Sequence, residues 1–197
     1  MRIRDEHKEQ MIRQKAMEMV VSNGIDGLSM QKLARSAGVS PATIYIYFQD
    51  REDLLIQICI EETKKMSDAT LQNFSPDMHF DEGLKIQWLN RAKYCLENPM
   101  HIDFIEQIRH SPLYIKAFEL IDKTFMQTMG KFVSNAITRN ELIRVPVEVY
   151  WSVAFAPLYQ LLKFNRQGRS INGKTNFSLT EELMMQTLQL VLKALKP

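Results

Sequence analysis

Across Ser40-Pro41-Ala42-Thr43-Ile44-Tyr45-Ile46-Tyr47-Phe48, hydroxyl, methyl and aromatic groups crowd into one short stretch. On a helix, Ile44 and Phe48 stand at i and i+4 and turn inward together. Ala42, Thr43, Tyr45, Ile46 and Tyr47 are then left largely outward, an odd set for a face that meets only water. The chemistry they offer is contact with a nucleic-acid duplex. Hydroxyls and the free amides of a helix N-terminus bond to phosphate oxygens, and methyl groups pack against the thymine methyl. The plainer alternative is a three-helix corner with no ligand. The agreement of caps, turn and aromatic pair favours the duplex.

Such a face must be held by its neighbours, and the flanking residues supply the means. Ser29 is placed to cap a helix, and Leu33 and Ala34 follow at the spacing of one buried side. Ala34 is small enough to admit a second helix closely. Gly38 ends the first helix, because a left-handed residue there costs glycine nothing. Val39 plugs the core beneath the turn. Ser40 is the next cap, with Pro41 at the first helical position, where its missing N–H is no loss. This predicts a second helix over about Pro41–Phe48. Asp50 caps a longer helix with Arg51, Glu52 and Asp53 in its first turn, the two acids suiting the positive end. Two short helices about a glycine turn, followed by a third, are the build of a helix-turn-helix. Upstream, Ile12, Ala16, Met19 and Val20 mark a further helix ending at Asn23-Gly24. Its opposite side carries Arg4, Lys8, Arg13 and Lys15, candidate phosphate contacts in a run that is more often simply solvated.

Residues 4–55 resemble the DNA-binding domain of TetR-family (tetracycline-repressor-like) regulators. The resemblance rests on the helix with Ile12, Ala16 and Val20 ending at Gly24, then Gly27-Leu28-Ser29, Leu33-Ala34 and Ala37-Gly38-Val39-Ser40. It continues through Thr43-Ile44-Tyr45-x-Tyr47-Phe48 and Arg51-Glu52-x-Leu54-Leu55. It implies that Ser29 binds a phosphate from the start of the helix before the turn. Pro41, Ala42, Thr43, Tyr45 and Ile46 would lie where the family's recognition helix meets bases and backbone, with Ser40 at its head. Tyr47 would contact phosphate. Arg51 stands where the family most often has Lys; it keeps the charge and adds a bidentate fork. Ala42 replaces a common Gly, a departure at a position of close approach. Gln31 and Gln49 could read bases or phosphates, Gln31 as a DNA-binding candidate, but the motif itself does not fix them.

The chain has 197 residues, 45% of them hydrophobic, and a formal charge of +2. That length holds one compact unit or two small ones with a real core. Through residue 49, seven basic residues face five acidic ones, so charge alone would not reveal a duplex binder. The two cysteines, Cys59 and Cys95, are too few for a disulfide framework and suggest a reduced, intracellular chain. The charged start has no apolar signal core, and no apolar run reaches membrane-spanning length, so a cytoplasmic protein with no membrane contact is expected. His101 and His110 share no helical face and have no cysteine cluster nearby, so no metal site or cofactor is expected. Gly-x-Ser-x-Gly and Gly-rich phosphate loops are missing, which argues against an enzyme.

The expected fold is all-α: a three-helix head over 1–50, with its motif at about 28–48, and a helical effector-binding and dimerisation body over 51–197. The body is predicted to hold helices over about 51–72, 80–96, 99–109, 112–138 and 146–166, the last kinked at Pro157. A polar loop follows over 166–177. Ser178-x-x-Glu181 reads as a capping box opening the final helix. The apolar stripes at 146–166 and 179–195 are wide enough to pair with a second copy as a four-helix interface. A two-fold dimer would bring two heads to successive grooves about 34 Å apart. Trp88, Tyr94, Phe104, Phe118, Phe125, Met126, Met129, Trp151, Phe155 and Tyr159 are candidate lining for a small, mostly apolar effector, with Tyr150 beside them. Each taken alone is an ordinary core residue. The resulting expectation is a repressor that binds a palindromic operator as a dimer. An effector in the body would shift the heads through the helix from Arg51 and release the DNA. The alternatives are a TetR-like DNA binder with no effector or acting as an activator and, in another class, a helical protein-interaction module.

Overall fold

The computed structural model describes residues 5–197, so the candidate Arg4 lies outside the described residues. In chain order the helices are α1 (Glu6–Asn23), α2 (Met30–Ser36), α3 (Pro41–Ile44), α4 (Arg51–Thr70), α5 (Phe80–Glu97), α6 (Pro99–Arg109) and α7 (Pro112–Leu120). They continue with α8 (Thr124–Thr138), α9 (Val147–Ala154), α10 (Ala156–Gln167) and α11 (Glu181–Leu195), and a 3-10 turn occupies Ile25–Gly27. The extended pairing among the described residues is an isolated bridge between Arg169 and Asn176. The fold is therefore all-α.

The chain divides into two compact units. One holds the residues up to Met66 together with Asn98–Asp122, the other Ser67–Glu97 with Lys123–Pro197. Residues 51–66 and 98–122, grouped with the body in the sequence, thus share a core with the N-terminal helices. The reason is the apolar face of α4, where Leu54, Leu55, Ile58 and Cys59 are buried together with Ile12, Ala16 and Val20 of α1. Phe104, Ile105 and Ile108 of α6 complete that core. Gln107 Nε2 of α6 donates to the Val21 carbonyl at 3.2 Å. A polar tie accompanies the packing: His101 bonds through Nδ1 to the Glu62 carboxylate, which is 2% exposed and also meets Lys65 Nζ at 2.8 Å.

In the second unit, α5 packs against α8, α10 and α11. Gly83 makes the approach to α8 possible, since a Cβ there would lie 2.5 Å from Phe132 Cε2. Phe132 in turn stacks on Phe80, ring centroids 5.8 Å apart. The Ile143 amide donates to the Leu195 carbonyl at 2.9 Å and fastens the end of α11.

Three helix boundaries differ from the sequence reading. The helix expected over 112–138 is two, because Ile121 turns extended (ψ 138°) and interrupts it. Asp122 follows, and an acid opposes the negative end of one helix while suiting the positive end of the next. At Pro157 the chain breaks rather than kinks: Phe155 (φ −126°, ψ −28°) separates α9 from α10, with Pro157 in the first turn of α10. Proline has no N–H to continue the ladder. The last helix is capped by Thr180, whose side chain accepts from the Leu183 amide, so the Ser178 capping box does not form.

Candidate nucleic-acid interface

Each of the first three α-helices is fixed by a side-chain cap. Asp5 accepts the Lys8 amide, Ser29 the Lys32 amide and Ser40 the Thr43 amide. Ser40 and Thr43 also share a hydroxyl–hydroxyl bond of 2.9 Å. Gly24 and Gly38 take φ +74° and +64°, the left-handed region the two turns require. Asp50 accepts the Asp53 amide at 2.8 Å while Asp53 reaches back to the Gln49 amide at 2.8 Å. This reciprocal cap fixes Arg51 at the head of α4. The α-helical part of the second motif helix is shorter than expected, Pro41–Ile44, and tighter turns carry it on: the Ile46 amide donates to the Thr43 carbonyl and the Tyr47 amide to the Ile44 carbonyl, each three residues back.

The inward and outward faces separate cleanly at most positions. Ile44 and Phe48 are 0% and 1% exposed, while Tyr45 and Ile46 are 54% and 43% exposed. Gln31, Ser40, Pro41 and Ala42 are exposed, and Ser29 and Thr43 half-exposed. A groove lined by Asp5, Lys8, Gly38, Val39, Thr43 and Ile46 runs beside this face. Lys8 stands at its edge, 3.1 Å from Asp5. That contact and the Lys8 amide hold the Asp5 carboxyl below its ordinary pKa. The surface thus exposes hydroxyls, methyls and the Lys8–Asp5 ion pair side by side.

Two positions are corrected. Tyr47 is buried rather than outward, 7% exposed. Its hydroxyl donates to the Asp5 carbonyl at 3.2 Å and accepts from the Asp5 amide at 3.1 Å, tying the start of α1 to the motif. After the short α3 the chain tightens, and this rotates Tyr47 to the inner side. Arg13 is also buried, 9% exposed. It pairs with Glu9 at 2.7 Å and Glu61 at 3.5 Å, bonds Gln57 at 2.9 Å and lies 4.9 Å over the Phe48 ring. It is a core tie between α1 and α4, not a free cation. Lys15 is paired with Glu18 at 2.7 Å. Arg51 is one-third exposed; its Nη2 donates to the Ile25 carbonyl and lies 3.6 Å from Asp26.

The effector candidates fall differently in the two units. Phe104 belongs to the core of the first unit, and Phe118 on α7 is exposed. In the second unit, Met129 is buried, Met126 exposed and Tyr94 half-buried. Trp88 is fully buried and donates its indole N–H to the Ala154 carbonyl at 2.8 Å, beside the helix break. Phe125, Trp151, Phe155 and Tyr159 gather around a residue that the apolar reading missed, Arg91. Its guanidinium carbon lies 5.6, 5.2 and 4.4 Å from the Phe125, Trp151 and Phe155 rings. Its Nη1 donates to the Tyr159 hydroxyl at 2.9 Å. Burial raises the Tyr150 hydroxyl well above its ordinary pKa, and the Arg91 charge offsets only part of that. The sequence clue was a polar pair, Gln87 and Arg91, set at i and i+4 on the same side of α5 as Leu84, Trp88 and Cys95.

Among the described residues no group of His, Cys, Asp and Glu is arranged to hold a metal ion, and no helix is long and apolar enough to cross a membrane.

Residues 12–58 match the family described as bacterial regulatory proteins, tetR family. An uncharacterized HTH-type transcriptional regulator of Haemophilus influenzae is 33% identical over 95 residues, 48% of this chain and 50% of that protein. The fatty acid metabolism regulator protein of Bacillus subtilis is 40% identical over 47 residues, 24% of each chain. The chain therefore spans half or less of the length of these curated relatives. Over the whole chain, the crystal structure of a TetR family transcription regulator from Marinobacter aquaeolei VT8 superposes with a TM-score of 0.83 at 27% identity. It covers 100% of this chain and 99% of that one.

Proposed function

This chain belongs to the tetR family of bacterial regulatory proteins, and from that premise we propose that it is a repressor released from its operator by a small molecule. That it is a DNA-binding transcriptional regulator rather than an enzyme follows from the family. The observation that carries the proposal is the capped recognition segment with Tyr45 and Ile46 held half-exposed above a buried Ile44 and Phe48. Thr43, Tyr45 and Ile46 read base edges. Ser29, Ser40 and Arg51 position the backbone, with Gln31, Pro41 and Ala42 at the same face.

Two copies act together. Val147, Val149, Leu183 and Leu190 are 61%, 45%, 38% and 66% exposed. Apolar residues in this number on α9 and α11 support a dimer through 146–166 and 179–195. A two-fold dimer reads a palindrome, and it works in the cytoplasm, where the DNA lies. The effector enters the second unit and favours a head spacing that no longer fits both grooves. A coupling of about 1–3 kcal/mol changes occupancy about 5- to 150-fold. The test is fluorescence anisotropy with the DNA flanking the chain's own gene. Binding by two copies at a palindrome, far above scrambled DNA at the same salt, is expected; equal affinity for both DNAs would refute the reading.

A further inference from the structure

Arg91 is a charge buried without an anion. It is 2% exposed, and its Nε and Nη2 have no hydrogen-bond partner. No described carboxylate pairs with it. One turn earlier, Gln87 is 0% exposed with both amide atoms unpartnered, and the buried Tyr150 hydroxyl is unpartnered too. All three donors belong to the second unit. Arginine does not escape burial by losing its proton. The three aromatic rings over its faces offset part of the cost, but a position that only filled space would be better served by an apolar side chain.

The unused atoms are specific. With Nη1 given to Tyr159, the free N–H groups lie on Nε and Nη2, which point the same way and form the fork that fits two oxygens of one planar group. The aromatic rings cover the faces of the guanidinium, so the fork edge and the apolar walls do not compete. One positive charge matches one negative charge; a phosphate monoester would carry a second, uncompensated one.

We propose that the second unit binds an organic monocarboxylate with an apolar body. Its two oxygens are held by the Nε–H and Nη2–H of Arg91, with Gln87 and Tyr150 as further donors and Phe125, Trp151 and Phe155 as walls. This rests on the effector-released reading above and names the chemical class of its effector.

The chain's two tryptophans, Trp88 and Trp151, both lie here, so their emission reports occupancy directly. The full chain, without DNA, is titrated with octanoate and phenylpropanoate and with the matching neutral amides. Saturable changes in emission and a raised unfolding temperature with an acid, and not with its amide, are expected. Arg91→Met should weaken acid binding at least about tenfold, yet melt at or above the wild-type temperature because an uncompensated charge is gone. If Arg91→Met does not fold, Arg91→Lys is read instead. It keeps the charge but loses the fork, and the same loss is expected. No saturable response to either acid, equal response to acid and amide, or unchanged affinity in the variant overturns the proposal. Operator binding is measured on the same preparation. Intact operator binding with no acid response sinks this inference alone, whereas loss of operator preference sinks the repressor reading.

Discussion

Replacing Arg51 by alanine separates two tasks that one guanidinium can perform. It clamps the 3-10 turn through the Ile25 carbonyl, and it stands 3.6 Å from Asp26 at the head of α4. If it also neutralises a phosphate, each copy contributes about 0.9 to the slope of log K against log salt. A two-headed complex of Arg51→Ala therefore has a slope shallower by about 1.8. From about 50 to 200 mM salt, about 0.6 log unit, the wild-type complex loses about tenfold more affinity than the variant. The clamp alone predicts something else: a stability loss of about 0.5–1.5 kcal/mol from the missing hydrogen bond, with parallel salt lines. Anisotropy titrations of operator DNA at four or more salt concentrations distinguish the two. Parallel lines for wild type and variant would remove Arg51 from the phosphate contacts and leave it as a brace for the turn.

Tyr47→Phe removes both bonds to the Asp5 backbone and should cost about 1–2 kcal/mol in chemical denaturation, with equal weakening on every DNA sequence; unchanged stability with lost affinity would restore a direct phosphate role. Gly83→Ala gains about 1 kcal/mol of helix propensity but forces a Cβ into Phe132. Overpacking of this kind costs about 1–3 kcal/mol, so the melting temperature should fall, and a rise would contradict the close approach. Leu190→Glu places a charge on the exposed stripe of α11 and should shift sedimentation toward a monomer, with operator affinity falling alongside; an unchanged dimer would move the interface elsewhere.

The head was legible because its information is local. Ser29, Gly38, Ser40, Pro41 and Asp50 act on the backbone within a few residues, and each of the five behaves as its type requires. Tyr47 departs from the outward place that a helix of constant pitch through Phe48 would give it, because α3 gives way to tighter turns that rotate the ring inward. Arg13 was misplaced because its partners, Glu61 and Gln57, lie on a distant helix. Arg91 was missed for a related reason. An arginine is read as surface by type, and only the convergence of α5, α8, α9 and α10 encloses this one. The break at Ile121 left no glycine or proline to announce it.

Trp88 and Trp151 lie in the same unit, and the other unit has no tryptophan at all. Thermal denaturation followed by indole emission is therefore blind to the DNA-reading helices, while far-ultraviolet dichroism sees both halves. Superimposed curves from the two probes would show a single cooperative transition. A lower midpoint by dichroism would show that the unit holding the N-terminal helices melts first, and that a thermogram taken by fluorescence overlooks that loss of order.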